Sequence, residues 1–161
     1  MLENIKNEIV DVADFPILGV NFKDISQLLK SKYFKDAIKL MGEKVEIPDY
    51  WIGIESRGFI FASALSMHYG GGLVLCRKKG KLPPPKIALE YQLEYGTDTL
   101  EIKQGDGKAV IVDDVLATGG TMNAAEQLAL NAGYNVTDKL VLINLKFLNS
   151  ELSIKSLIEY E

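Results

Sequence analysis

Apolar positions in this chain change their period several times, and each change marks an element. Tyr33, Phe34, Ala37, Ile38 and Met41 recur at helical spacing, and Gly42 with Pro48 closes that helix. Tyr50 to Glu55 is a short apolar run of strand type, followed by Ser56-Arg57-Gly58. Phe59 to Tyr69 reads as a buried helix ended by Gly70-Gly71-Gly72. Leu73 to Cys76 and Lys108 to Asp114 predict two further strands. Met122 to Ala132 predicts a helix with Gly133 as its stop, and Lys139 to Leu145 one more buried strand. Apolar strands alternating with helices predict an α/β fold whose parallel sheet is covered on both faces. In such sheets ligands bind beyond the carboxyl ends of the strands.

Two segments break the alternation. Asp11 to Ile25 contains Pro16 and Gly19 and is neither periodic helix nor clean alternation. Gly80 to Gln92 is too long for an ordinary connection, and loops of that length are usually lids or binding loops. Its prolines, Pro83 to Pro85, predict a locally extended chain. With 161 residues, no repeat and no linker, a single domain spanning 1–161 is expected. Hydrophobic residues at 47% and charged residues at 25% exclude a disordered chain. The net charge of −4 argues against a broad nucleic-acid-binding face, while leaving room for a local basic pocket. Cys76 is the only cysteine, so no internal disulfide or cysteine-rich zinc site forms. No stretch reads as a membrane span or a signal core, which predicts a protein of a reducing, cytoplasmic compartment.

The strongest chemical signal is Ala109 to Thr121, AVIVDDVLATGGT. A buried strand runs into two adjacent acids, and a turn of small residues then opens a helix. Gly119 and Gly120 let backbone amides approach an anion, and Thr118 and Thr121 add hydroxyl donors. A phosphate fits there. The acids Asp113 and Asp114 would repel it, so they must face something else: sugar hydroxyls, a cation, or both. The spacing is neither a Walker loop nor GxGxxG.

An acid pair followed by ATGGT resembles the phosphoribosyl-diphosphate (PRPP) signature of the type I phosphoribosyltransferases. Further motifs narrow the likeness: Asp14-Phe15-Pro16, Gly19-Val20-Asn21-Phe22-Lys23-Asp24-Ile25, Glu55-Ser56-Arg57-Gly58-Phe59, Arg77-Lys78-Lys79-Gly80-Lys81-Leu82-Pro83, and Leu93-Glu94-Tyr95-Gly96. In this order, with Ser156 to Tyr160 at the end, they resemble the adenine phosphoribosyltransferase family over nearly the whole chain from Asp14.

That resemblance implies a type I phosphoribosyltransferase fold with an N-terminal hood at roughly 11–25 and a flexible catalytic lid loop at roughly 77–96. The implied reaction is purine salvage, adenine plus PRPP giving AMP and diphosphate, with Mg²⁺ held mainly by the diphosphate rather than by protein ligands. It assigns Ala117, Thr118, Gly119, Gly120 and Thr121 to the sugar 5′-phosphate, and Asp113 with Asp114 to the ring hydroxyls. Ser56, Arg57, Gly58, Arg77, Lys81 and Tyr95 would serve the diphosphate. Arg77 and Glu94 would be catalytic, Glu94 managing the proton of the purine. Val20, Phe22 and Lys23 would bind adenine. The implied partners are adenine and PRPP, with no nucleic acid and no membrane, and a homodimer is the family's habit. Lys23 stands where the family usually has arginine, so a planar fork is lost. The connections before Tyr50 and from Glu101 to Val110 are shorter than usual in the family. The alternatives are a transferase for hypoxanthine, guanine or xanthine, to which Lys146 would point, and a non-catalytic PRPP-sensing regulator. Glu94 and the hood speak against the first, the lid and the net charge against the second. His68 reads as a core or helix-end residue, Cys76 as a buried inert thiol, and Trp51 as core.

Overall fold

A computed structural model describes residues 1–93, 95–151 and 153–161. Helix α1 (Leu2–Asn7) leads into an antiparallel ribbon of β1 (Val10–Val12) and β2 (Phe22–Asp24), followed by α2 (Ser26–Lys30) and α3 (Phe34–Gly42). The main sheet contains β3 (Tyr50–Ile54), β4 (Gly72–Lys78), β5 (Ile87–Leu93), β6 (Gly96–Ile102), β7 (Lys108–Leu116), β8 (Asn135–Leu145) and β9 (Lys155–Tyr160). Its spatial order is β5-β6-β4-β3-β7-β8-β9. Helix α4 (Arg57–Tyr69) connects β3 to β4, and α5 (Gly120–Asn131) connects β7 to β8. Among the described residues no helix is long and apolar enough to cross a membrane.

The alternation of side chains along β7 divides the core into two layers. Val110 and Val112 pack with Phe61, Ala62 and Leu65 of α4 and with Ala37 and Met41 of α3. Ala109 and Ile111 face the other way, onto Ala125, Leu128 and Ala129 of α5. With both faces covered, β3, β7 and β8 have no polar side to show, which is why they read as continuous apolar runs. Trp51 is fully buried, and its indole N–H donates to Gly70 O at 2.8 Å.

The α/β fold with its mostly parallel sheet is as expected, with two corrections. The stretch from Gly80 to Gln92 is not all loop: β5 and β6 form an antiparallel hairpin along the sheet edge, with β6 antiparallel to β4. Ile87, Leu89 and Tyr91 pack against the α5 layer, while Ala88, Glu90 and Gln92 are exposed. That strand alternation sits directly behind three prolines, whose loop signal hides it. The break at Asp11 to Ile25 holds a second antiparallel pair, Val12 opposite Phe22 and Val10 opposite Asp24. Other boundaries move by a few residues. Helix α4 begins at Arg57 and α5 at Gly120, because their first turns face the cleft and carry no apolar period. Strand β7 continues through Val115 and Leu116, so the acid pair lies within it rather than at its end.

Gly133 ends α5 with φ +110°, its amide and that of Tyr134 donating to Leu130 O and Ala129 O at 3.1 Å each. This is the double C-terminal bond pattern that favours a left-handed residue. A Cβ there would also stand 2.2 Å from Gly105 O. Gly133→Ala should therefore destabilise the chain by about 1–3 kcal/mol, from backbone strain and overpacking together. A lower urea midpoint at unchanged slope is the expected readout.

Candidate active site

Because β3 and β7 are adjacent and parallel, their carboxyl ends open side by side. A cleft of about 450 Å³ lies between them, lined by Ser56, Arg57, Lys78, the acid pair and the turn Ala117–Thr121. Gly119 adopts φ +95°, which turns the chain from β7 into α5. The first amides of α5 have no carbonyl one turn earlier to receive them, so they and the helix dipole favour an anion at this point. Gly58 makes the narrow approach possible. A Cβ on it would stand 2.8 Å from Val112 O and 3.1 Å from Asp113 Oδ1.

The Glu55–Ser56 peptide is cis. Arg57 donates through Nε to Asp114 Oδ2, and its guanidinium lies 5.6 Å from the centroid of the Phe22 ring. Burial alone would lower the Arg57 pKa, but the bond to Asp114 and the charges of both acids raise it. The Asp114 amide donates to Asp113 Oδ1 at 2.9 Å. Burial, and then the neighbouring Asp114 charge, raise the Asp113 carboxyl well above the ordinary range.

A second cleft, of about 460 Å³, adjoins the first under the β1–β2 ribbon. Val12, Phe15, Phe22, Ile25 and Leu29 give it apolar walls, and Asp24 and Arg57 give it polar ones. Arg57 lines both clefts. Phe15 and Phe22 meet edge to face at 5.2 Å between centroids. The Lys23 side chain does not join them: strand alternation sends it to the other side, onto Asp11 and 4.0 Å from the Tyr160 ring centroid. Val20 is 39% exposed in the ribbon's loop and does not line this cleft.

Arg77, Lys78 and Lys81, around the end of β4, are paired. Glu55 receives Arg77 Nε at 3.2 Å, the Lys78 amide at 3.0 Å and Lys81 Nζ at 2.8 Å. Burial pushes the Glu55 pKa up, but these bonds outweigh it and the carboxyl stays below its usual value. The Lys78 side chain enters the cleft instead, with Nζ 2.6 Å from Asp98 Oδ2. Tyr91 of β5 places its hydroxyl 3.4 Å from Thr121 Oγ1, so the hairpin reaches the turn. Lys78, Asp98 and Tyr91 were not singled out from the sequence. Carrying the β4 alternation two residues beyond Cys76 would have found Lys78.

Ser56, Arg57, Asp113, Asp114 and Ala117 to Thr121 thus come together, and Phe22 lies beside them in the second cleft. Arg77 and Lys81 reach the rim only through Glu55. Tyr95 is 93% exposed at the hairpin turn. Glu94 lies outside the described residues. Lys146, which pairs with Glu159 at 3.2 Å, does not line either cleft. His68 is exposed in the last turn of α4, and burial pushes the Cys76 thiol up to about 12.

A glycine-rich turn following a strand that carries an acid pair, on a sheet of this order, is the arrangement of a phosphoribosyltransferase. Residues 24–143 match the phosphoribosyl transferase domain. An adenine phosphoribosyltransferase of Hydrogenovibrio crunogenus is 46% identical over 160 residues, covering 93% of this chain and 92% of the relative. One of Bdellovibrio bacteriovorus is 44% identical, covering 98% and 99%. The crystal structure of the Thermoanaerobacter pseudethanolicus adenine phosphoribosyltransferase superposes with TM-score 0.92 at 40% identity, covering 99% of this chain and 100% of that one. That of the Saccharomyces cerevisiae protein, complexed with an imino-altritol bisphosphate and adenine, gives 0.85 at 33% identity, covering 96% of each. The chain belongs to the adenine phosphoribosyltransferase family.

A carboxyl whose pKa is raised on folding opposes stability once the pH passes its unfolded value. Asp113→Asn should therefore leave thermal stability nearly unchanged below about pH 4, where Asp113 is protonated in both states. Between about pH 4 and the higher folded value the variant should become progressively more stable than the parent, levelling off above it at a gain of a few degrees, about 1 kcal/mol being worth roughly 2–4 °C at this length. Melting curves from pH 4 to 8 check the sign and the window.

Proposed function

We propose that this chain transfers the 5-phosphoribosyl group of PRPP to adenine, giving AMP and diphosphate in purine salvage. The observation that carries the reading is the sharing of Arg57 by two clefts of different character. One is polar, with an anion turn and an acid pair; the other is walled by Phe15 and Phe22 and suits a flat heteroaromatic base. The relatives' shared name, and the adenine in the yeast complex, support the choice of base.

In this reading the turn Ala117–Thr121 holds the 5′-phosphate through its amides and hydroxyls. Asp113 and Asp114 receive the ribose hydroxyls, and a protonated Asp113 can also donate. Ser56, Arg57 and Lys78 face the diphosphate, and Arg77, Lys81 and Tyr95 approach it when the hairpin, acting as the lid, closes and excludes water. Adenine lies against Phe22 in the cleft walled by Phe15 and Phe22. The bond from C1′ to the diphosphate oxygen breaks ahead of attack, the N9–C1′ bond forms, and the imidazole proton passes to Glu94. The acid pair offers hard oxygen donors. That donor set fits Mg²⁺ arriving with its diphosphate, where it supplies charge to the leaving oxygens. A cytoplasmic homodimer is the assembly the family resemblance implies.

The direct test offers the protein PRPP and Mg²⁺ with each purine in turn. Adenine should be consumed far faster than hypoxanthine, guanine or xanthine, by up to about 10⁴-fold, since the wrong edge leaves buried polar groups unpaired. Equal turnover of hypoxanthine would overturn the assignment of the base. Glu94→Gln should slow the chemical step by roughly 10²–10⁴-fold while PRPP binding barely changes. Single-turnover kinetics separates that step from product release; a Gln variant with full chemistry would remove Glu94 from the reaction.

A further inference from the structure

We propose that Asn149, well outside the phosphate turn in sequence, is the positioning residue that aims the Thr118 amide into the cleft. The inference rests on reading Ala117–Thr121 as the 5′-phosphate site. The β7–β8 ladder has its last registered pair at Leu116 and Asn144, so Ala117 is the first residue past it. Its carbonyl has lost the strand neighbour that would hold its direction. Asn149 Nδ2 takes that place, donating to Ala117 O at 2.8 Å.

The same nitrogen lies 3.0 Å from Leu145 O and 3.0 Å from Asn144 Oδ1, while Asn149 Oδ1 accepts the Glu151 amide at 3.0 Å. Asn144 is 1% exposed, which ties the clamp to the buried end of β8. In a trans peptide the carbonyl and the following N–H point in opposite directions. Pinning Ala117 O toward Asn149, which does not line the cleft, therefore turns the Thr118 amide to the opposite side, where the cleft lies. A carbonyl free to rotate would present oxygen to the phosphate in some conformers and repel it. Asn149 thus acts on the phosphate without touching it.

Asn149→Asp tests this in the full chain. The replacement keeps the shape and the acceptor for the Glu151 amide, but removes the donor and sets a carboxylate against the Ala117 carbonyl. KM for PRPP should rise about ten- to a hundredfold, the worth of one hydrogen bond to a charged group. The kcat at saturating PRPP and KM for adenine should stay within about threefold of the parent. Calorimetry should show ribose 5-phosphate weakened to a similar degree and diphosphate alone unaffected. Should the Asp variant not fold, Asn149→Ala is taken through the same measurements. Equal losses for ribose 5-phosphate and diphosphate, or a fall in kcat with unchanged KM for PRPP, would overturn the proposal by making Asn149 a general structural support. An unchanged KM for PRPP in a folded variant would do the same. Failure of the parent protein to use PRPP at all would count instead against the reading of the turn, and the calorimetry with ribose 5-phosphate would still report on Asn149.

Discussion

The pair formed by Arg57 and Asp114 joins the first turn of α4 to the end of β7 across the mouth of two clefts. Gly58 allows the helix close enough for the pair to form. The pair in turn decides how charge is distributed below it. Asp114 has a cation, Asp113 has mainly its neighbour's negative charge and a buried position, and so one acid of the two resists ionisation. The guanidinium is left half-exposed, with one side toward Phe22 and another toward the anion turn. An arginine so placed can bridge an aromatic base site and a phosphate site, which a lysine's point charge could not do with the same directionality.

Much of this was legible in the residues. Continuous apolar strands specify a parallel sheet, and the glycine-rich turn and the two acids that the sequence singles out come to lie together at the cleft between β3 and β7. What stayed hidden has common physical causes. The β5–β6 hairpin is half-buried, so its pattern alternates weakly, and the prolines before it speak louder than the alternation. Lys23 follows Phe22 in sequence, but successive side chains in a strand face opposite ways, and only Phe22 faces the cleft. The same alternation turns Lys78 into the cleft while its neighbour Arg77 pairs with Glu55. Asn149 gives only a local signal, its side chain accepting the Glu151 amide two residues on; its reach to Ala117, which matters for the turn, is set by the tertiary fold.

The two layers of the core divide the labour around the cleft. The α3–α4 layer fixes Ser56 and Arg57 through Phe61, Ala62 and Leu65, while the α5 layer fixes the anion turn through Met122, Ala125 and Leu128. The hairpin leans on the second layer alone, through Ile87, Leu89 and Tyr91.

The pairing of Glu55 with Arg77 and Lys81, and of Asp98 with Lys78, has a consequence for the medium around the protein. Arg77, Lys78 and Lys81 each already carry a counter-ion built into the chain. Chloride and other simple monovalent anions gain little there, because displacing a fixed carboxylate costs more than one weakly bound ion returns. A multivalent anion that reaches several of these cations at once can exchange with the carboxylates and release them to water. Binding then becomes a trade of partners at nearly constant local charge, and its dependence on ionic strength is gentler than the number of basic side chains suggests.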